Sequence, residues 1–399
     1  MVAQQDTYAA RRHATLKRWR VPSEWIALLV LATACTGATS GPAPDSVATF
    51  DTSPSAATTE PAVTTRPPPT QPSITVAATS TTVAAPPVHV EDQVSYAVVA
   101  AERSGALSVL ARLPAQQETC SADSEPQGVA CGPVSIVQEV EVPDRPHNLA
   151  AYGSVVIVTH PRAGLISRYD VATGELISAT VGIEPHDAEF SADGSAVYVA
   201  DEQGRRLLTV DPATLELLET VGLPGNPHDL AVADDAIWAT LVGRGDLAKV
   251  RAGTVELFPT GHAPHDLVVD SSGHIWFSNW GSSELLIFDP ETGEVVEAPA
   301  GVKEPHHFAL DFQGTVWVSD NGGAAVVGFR SDGPITTNVG PVPHHLGFLD
   351  DLLVVAVSGA GQVVVLDAGE IVGRIPLSRG LHGVAIGRLA EPAPWQSDR

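Results

Sequence analysis

Residues 184–221 read EPHDAEFSADGSAVYVADEQGRRLLTVDPATLELLETV, and this stretch decides the fold. A proline–histidine step leads into four short runs rich in Val, Leu and Ala. These runs are separated by turns that contain Gly, Asp or Pro. Runs of this length and composition between such turns are typical of β-strands. The stretch therefore predicts a unit of four strands that begins at its histidine.

The same step returns along the chain at nearly constant spacing. Six copies carry a proline before the histidine, and a seventh, GLHGVAI, has leucine there. The gaps between successive histidines are 39, 42, 37, 41, 38 and 38 residues. The histidines are His147, His186, His228, His265, His306, His344 and His382. Four strands in a repeat of this length indicate one blade of a β-propeller.

The blade count predicts how the ring of blades closes. Six repeats are complete, whereas the seventh, which starts at His382, contains only one strand-like segment. Three segments before His147 belong to no repeat: VSYAVVAAE, ALSVLARL and VSIVQEVEV. We therefore expect an all-β, seven-bladed β-propeller over residues 91–390, in which the C-terminal strand completes the first blade. Residues 391–399 would form a tail.

Two stretches resemble known propeller repeats. Residues 191–221 are similar to the YVTN β-propeller repeat, and DSSGHIWFSNWGSSELLIFDPETGEV at 270–295 resembles the virginiamycin B lyase-type repeat. The resemblance covers the folded part and implies a propeller. Such families include lyases and binding proteins, so the resemblance implies no single activity. The catalytic histidine–glutamate arrangement of the lyase is not found in this sequence.

The seven repeated histidines are the candidate functional residues. The first strand of each propeller blade lines the central channel, so the start of each first strand lies at the channel mouth. Seven imidazoles could converge there as ligands of a transition metal such as copper, zinc or iron. The sequence does not identify the metal.

Further polar residues occupy the neighbouring positions of the repeat. Carboxylates that orient an imidazole are common around metal ligands, so we expect these residues to surround the ligands or to lie at the rim. The position after the histidine supplies Asp187, Asp229, Asp266, His307 and His345. The ends of the second strands supply His160, Asp201, Asn279 and Asp320.

Two interpretations of the repeated histidines stay open. In the first, they bind a metal ion in a tethered metalloprotein or metalloenzyme. In the second, they are structural, as in WD-type propellers, and the protein is a non-enzymatic binding or interaction module. The doubled histidines at 306–307 and 344–345 favour the first, because a structural repeat does not require them. In either case we expect a monomer with a small-molecule or protein ligand on the top face.

The first 90 residues predict export and tethering. Residues 1–34 join a basic start to the apolar run WIALLVLATA, which is typical of an export signal. The sequence ATAC, ending at Cys35, resembles a bacterial lipobox, so we expect a lipid anchor at Cys35. Ordinary signal-peptidase cleavage and free secretion are the alternative. Residues 35–90, rich in Thr, Pro, Ala and Ser, predict a disordered tether at the cell envelope.

Cysteine usage and charge agree with an exported protein. Besides Cys35 the chain has only Cys120 and Cys131, which we expect to form a disulfide outside the cytosol. The formal net charge is −25, and residues 1–34 contribute +3, so the remainder carries −28. This charge argues against nucleic acid and anionic membrane surfaces as partners. The expected contact with the membrane is the lipid anchor alone.

Overall fold

The computed structural model describes residues 93–112, 131–261, 263–280, 282–390 and 393–394 of the 399-residue chain. The predicted export signal and tether, including Cys35, lie outside the described residues, as does Cys120. The lipid anchor, the disulfide and the domain bounds therefore stay predictions. None of the described residues belongs to a helix with the length and apolarity that crossing a membrane requires.

The described residues form seven sheets of four strands each. Blade 1 contains β1 (Gln93–Ala101), β2 (Ala106–Arg112), β3 (Val134–Glu141) and β28 (Leu381–Ala390). Blade 2 contains β4 (Leu149–Tyr152), β5 (Val155–His160), a 3₁₀ turn (Pro161–Ala163), β6 (Leu165–Asp170) and β7 (Leu176–Thr180). Blade 3 contains β8 (Pro185–Phe190), β9 (Val197–Asp201), β10 (Arg206–Val210) and β11 (Leu217–Gly222).

The remaining four blades follow in chain order. Blade 4 contains β12 (Asn226–Ala233), β13 (Ala236–Val242), β14 (Asp246–Arg251) and β15 (Thr254–Pro259). Blade 5 contains β16 (Pro264–Val269), β17 (Ile275–Asn279), β18 (Glu284–Asp289) and β19 (Glu294–Glu297). Blade 6 contains β20 (Pro305–Leu310), β21 (Val316–Asp320), β22 (Ala325–Arg330) and β23 (Gly333–Asn338). Blade 7 contains β24 (Pro343–Leu349), β25 (Leu352–Val357), β26 (Gln362–Asp367) and β27 (Glu370–Pro376).

The last strand closes the ring of blades. β28 is the innermost strand of blade 1 and pairs antiparallel with β1, from Gln93 opposite Ala390 to Ala101 opposite Leu381. It also contacts the inner strands of blades 7 and 2, β24 and β4. The sequence prediction of a seven-bladed propeller closed by its C-terminal strand is therefore confirmed.

The hydrophobic core lies between the blades. The described residues contain seven clusters of buried apolar side chains, one at each interface between adjacent blades. Side chains alternate between the two faces of a strand, and each blade has a neighbour on both faces. This double burial explains why β25 (LLVVAV) is apolar throughout instead of alternating. The packing fixes adjacent inner strands against each other, and these strands carry the repeated histidines.

Candidate metal centre at the channel mouth

A β-bulge places the histidine and the residue after it at the channel. In blade 4 the pairing of β12 with β13 shifts between Pro227 and Leu230, so His228 and Asp229 together oppose Thr240. The same shift occurs at the histidines of blades 3, 5, 6 and 7. A bulge re-aims the side chains of its strand. As a result, His228 and Asp229 both line cavities of the channel although they are consecutive.

A hydroxyl group on the second strand completes each of several bulges. The backbone N–H of Asp229 donates to Thr240 Oγ1 over 3.1 Å, and Thr240 Oγ1 donates to the carbonyl of His265 in the next blade over 2.6 Å. Equivalent amides in blades 2, 5 and 6 donate to hydroxyls of Thr159, Ser278 and Ser319. Backbone groups that the ladder leaves unpaired are thus satisfied, and neighbouring histidines are held in fixed relative positions.

The seven repeated histidines form a closed ring, called here the histidine ring. Every histidine is adjacent to the next around the channel, with ring centroids 3.6 to 5.3 Å apart. They surround a cavity of about 240 Å³, which Asn148, Asp266, Trp280 and His345 also line. The structure therefore brings all seven predicted ligands to one place.

Several imidazole nitrogens in the ring are buried without a partner. Among the described residues, Nδ1 of His147, His228, His344 and His382 is inaccessible to solvent and makes no hydrogen bond. Buried polar atoms in native proteins are almost always paired, so each unpaired nitrogen requires an explanation. In the rest of the ring, Nδ1 of His186 lies 3.1 Å from the carbonyl of His228, and Nδ1 of His265 bonds to Asp266. Nδ1 of His306 lies near the same carboxylate but makes no hydrogen bond.

Asp266 inserts between two ring histidines. Its Oδ2 accepts a hydrogen bond from His265 Nδ1 over 3.0 Å. The same oxygen lies 3.2 Å from His306 Nδ1, but the geometry of that contact is not that of a hydrogen bond. Burial alone would raise the pKa of Asp266, but the imidazoles of His265 and His306 hold it well below its usual value. An ionised carboxylate bound to Nδ1 leaves Nε2 as the free nitrogen and orients the ring, as around many metal ligands.

The residues after the histidines form a second tier beneath the ring: Asn148, Asp187, Asp229, Asp266, His307, His345 and Gly383. Two of the carboxylates link blades: Asp187 Oδ2 accepts from the Leu230 N–H over 2.9 Å, and Asp229 Oδ2 from the Leu267 N–H over 2.8 Å. His307 and His345 stack with centroids 3.8 Å apart. Of the predicted orienting carboxylates, only Asp266 bonds to a ring histidine; the other two hold neighbouring backbone.

Three groups within the described residues have ligand atoms close enough to share a metal ion. Their members are His344, His345 and His382; His186, Glu202 and His228; and His228, His265 and Asp266. In each group the ligand atoms lie within 4.8 Å of one another. Nitrogen ligands lie about 2.0–2.1 Å from a bound zinc ion, so two of them are at most about 4.2 Å apart, and a group as wide as 4.8 Å must contract to coordinate one ion.

Glu202 at the mouth escaped the sequence prediction, whereas Trp280 is expected from the sequence to lie at the rim of the top face, where it could stack on a ligand. Glu202 Oε2 lies 4.0 Å from His186 Nε2, and Trp280, whose exposed fraction is 58%, stacks on His265 with centroids 3.9 Å apart. Both directly follow the last residue of a second strand, Asp201 and Asn279. This shared repeat position is the signal that would have identified Glu202.

The predicted rim residues hold loops in place. Asp201 Oδ1 accepts from the N–H groups of Ile183 and Glu184, each over 2.8 Å. Asn279 and Asp320 likewise accept from the N–H groups of Ala263 and Glu304. These two residues lie two positions before the ring histidines His265 and His306. His160 bonds inside blade 2, to the Asp144 carbonyl and Ser167. These four side chains position the loops and blades and do not line the cavity of the histidine ring.

Loss of the Asp201 carboxylate is expected to destabilise the propeller by about 3 kcal/mol. Asp201 is fully buried and also binds Arg206 Nε over 2.7 Å, so Asp201→Ala leaves two amides and a guanidinium without their acceptor. Urea unfolding monitored by tryptophan fluorescence measures the change.

Asp211→Ala is the matched control for Asp201→Ala. Asp211 also accepts two backbone N–H groups, from Ala213 and Thr214, but in an exposed turn where water can replace it. We expect a much smaller loss of stability. Equal losses in both variants would contradict the role assigned to Asp201.

Most histidines of the ring are held in the neutral form. Burial, followed by the neighbouring imidazoles, lowers the pKa of His147, His228, His344 and His382 well below 6.5. Burial lowers the pKa of His186 to about 4. Neutral imidazole carries the lone pair that a metal binds, whereas imidazolium does not. The ring is therefore ready to coordinate a metal at neutral pH without first losing protons.

Acidification is expected to destabilise the metal-free protein. Nine described histidines have a lowered pKa, so the unfolded chain binds more protons than the native chain below about pH 6.5, and stability falls with pH. Burial raises the pKa of Asp187, Glu189 and Asp229, so these carboxyl groups make the native state more stable as the pH falls. They are fewer than the histidines with a lowered pKa, so the effect of the histidines is expected to dominate. Urea unfolding with EDTA at about pH 7 and about pH 5 tests the sign. A higher midpoint at the lower pH would contradict it.

Comparisons with known proteins agree on the fold. Virginiamycin B lyase from Staphylococcus aureus superposes with a TM-score of 0.53 and 16% identity over 60% of this chain and 87% of the lyase. The chain shares its fold with virginiamycin B lyase. At such identity the likeness to the lyase shows the fold alone. No protein-family profile and no curated protein matches the sequence.

Two further solved propellers superpose over most of their length. A functionally unknown protein from Desulfotomaculum acetoxidans has a TM-score of 0.59 and 13% identity, over 73% of this chain and 98% of that protein. Apo AztD from Citrobacter koseri has a TM-score of 0.55 and 11% identity, over 74% of this chain and 98% of AztD. These matches, like the lyase, concern the architecture and not the histidine ring.

Proposed function

We propose that this protein is a metal-binding β-propeller of the cell envelope whose histidine ring holds a transition metal ion. The observation that carries the proposal is the closed ring of imidazoles with buried, unpartnered Nδ1 atoms at His147, His228, His344 and His382. In a purely structural ring these nitrogens would be expected to bond to backbone or carboxylate groups, because an unsatisfied buried polar atom costs about 1–3 kcal/mol.

The donor set favours a borderline metal. Imidazole nitrogen suits zinc, copper, iron and nickel, whereas soft Cu(I) prefers the thiolate and thioether ligands that the ring lacks. The group formed by His344, His345 and His382 provides three imidazoles, the number that catalytic zinc sites use when a fourth position stays open. A metal held there would act as a Lewis acid or redox centre for a ligand entering from the top face.

The second candidate is a binding module with structural histidines. It is supported by the inter-blade bonds of Asp187 and Asp229 and by the bond of His186 to the His228 carbonyl. These contacts show that part of the two-tier assembly stabilises the propeller. They leave the unpartnered nitrogens unexplained, and for that reason we favour metal binding.

Elemental analysis tests the proposal directly. The full-length protein, purified without a histidine tag and stripped with a chelator, would be dialysed separately against zinc, copper, iron and nickel salts. We expect at least about one ion per chain to survive gel filtration with one of these metals. Less than about a tenth of an ion per chain with all four would overturn the proposal and favour the structural module.

The remaining parts of the proposal concern location and partners. We infer that the protein is exported and anchored through lipid at Cys35, with residues 35–90 as the tether. The described part of the chain contributes a ligand-binding top face for a small molecule or a protein, and it acts as a monomer. Globomycin treatment of the native host, followed by detection of an uncleaved precursor, tests the anchor; unchanged mobility of the protein would contradict it.

A further inference from the structure

A second cavity lies in the channel on the other side of the second tier. It has a volume of about 530 Å³ and is called here the lower chamber. Asp187, Asp229, His307 and His345 of the second tier form one end, and the turns after the inner strands, at Ala192, Asp234 and Ser271, form the other. The lower chamber thus extends from the second tier towards the face opposite the histidine ring.

The wall of the lower chamber combines apolar side chains with acidic ones. Apolar side chains that line it include Leu149, Phe190, Leu267, Phe308 and Val384. Its acidic residues are Asp187, Glu189, Asp229, Asp234 and Asp270, and its described lining contains no lysine or arginine. Cavities of roughly 300–1,000 Å³ are typical in size of sites for small organic ligands.

Glu189 departs from the repeat in a way that packing does not explain. Three residues after each ring histidine the other six blades have Ala150, Ala231, Val268, Ala309, Gly347 and Ala385, all small and apolar. Only blade 3 places a carboxylate at this position. Burial raises the pKa of Glu189 to about 8, so without a ligand the carboxyl is largely neutral at pH 7, and a bound cation would ionise it. An alanine would avoid the cost of burying this group. The departure therefore points to a role in binding.

An unpartnered imidazole nitrogen lies at the same chamber. Nδ1 of His307, which lines the lower chamber, is buried and has no hydrogen-bond partner among the described residues. Among the described residues, no three carboxylate or imidazole groups of the chamber wall have ligand atoms within 4.8 Å of one another. His345 does belong to such a group, but its two partners there are ring histidines. The chamber thus lacks the compact donor set of a bare metal ion, and its size and walls fit a larger ligand.

We propose that the lower chamber binds a small organic cation, an amine or guanidinium on an apolar body, with Glu189 as its counter-charge. The apolar body packs against Leu267, Phe308 and Val384, and the cationic head lies among Asp187, Glu189 and Asp229. The high negative charge of the chain attracts such a ligand electrostatically. Of the residues that line this site, His345 alone also lines the cavity of the histidine ring, and the site does not require a metal there.

Three isosteric probes test the charge preference. They are 2-phenylethylamine, 2-phenylethanol and 3-phenylpropanoate, titrated into the metal-stripped full-length protein and followed by ligand-observed NMR and calorimetry. We expect the amine to bind at least about tenfold more tightly than the alcohol, and the carboxylate to bind least, because a charge-assisted contact is made only by the amine. Equal binding of amine and alcohol, or no binding of any probe at about 10 mM, would overturn the proposal.

Variants locate the binding of the amine. Glu189→Gln removes the charge at nearly constant volume and is expected to abolish the preference for the amine; Glu189→Ala, the residue of four other blades, should do the same. Glu219→Gln, on the exposed outer strand β11, is the matched control and should keep the preference. A preference that persists in both Glu189 variants would contradict the assignment. Metal content of the ring, measured on the same variants, should be unchanged, so failure here is distinguishable from failure of the ring proposal.

Discussion

Replacing His344 and His382 together by alanine is expected to lower the affinity for the ring metal at least about 100-fold. Together with His345 they form the one candidate group among the described residues that consists of three imidazoles. The ring centroids of His344 and His382 are 4.1 Å apart. Removing two of three ligands leaves His345 alone, which cannot chelate an ion. Competition with a chromophoric chelator measures the affinity, and circular dichroism confirms the fold.

Two further variants interpret that result. His274→Ala removes a partly exposed histidine from a turn outside the ring, so the metal affinity should stay unchanged. His186→Ala combined with His228→Ala removes the group that contains Glu202 and tests whether a second ion is held there. Full metal content in a variant that combines all four substitutions would show that the ring is not the metal site.

A chain that ends at Gly380 is expected to lose cooperative folding. The missing β28 is the inner strand of blade 1, and its buried Leu381 and Val384 pack on blade 7, whereas Ala385 and Leu389 pack towards blade 2. Its removal exposes the backbone edge of β1 and opens two of the seven interfaces at once. Natural domains are stable by only about 5–15 kcal/mol, less than the loss of a central strand.

Thermal unfolding followed by circular dichroism tests the truncation. A chain that ends at Pro394 retains β28 and is the control, and it should unfold in one sharp transition. The shorter chain should show a broad or absent transition and aggregate through its open edge. A sharp transition with a similar midpoint would mean that the ring of blades does not need closure.

The architecture was predictable from the sequence because it depends on a repeat. The constant spacing of the proline–histidine step gave the number of blades, and three unassigned strands before His147 required one strand from the other end. Each of these inferences uses only the order of short apolar segments along the chain. Such order survives even when individual side chains vary from blade to blade.

The division into two tiers was not predictable, because it depends on the bulge. Strict alternation along a strand would send His228 and Asp229 to opposite faces, with no reason for both to reach the channel. The shift in pairing opposite Thr240 changes this. Likewise, Asp187 and Asp229 bond to backbone amides of the next blade, and a sequence does not show which partner a carboxylate meets across a blade interface.

The position of His382 in the chain sets the order in which the site can be assembled. His382 lies on β28, which follows every other blade strand in the sequence, while the partners of β28 in blade 1 come first. A chain that emerges from a ribosome or a translocation pore therefore has no complete ring of imidazoles until its last strand is free. If the ring holds a metal as proposed, an ion bound by His344, His345 and His382 is acquired only after the propeller has closed, in the compartment where folding ends.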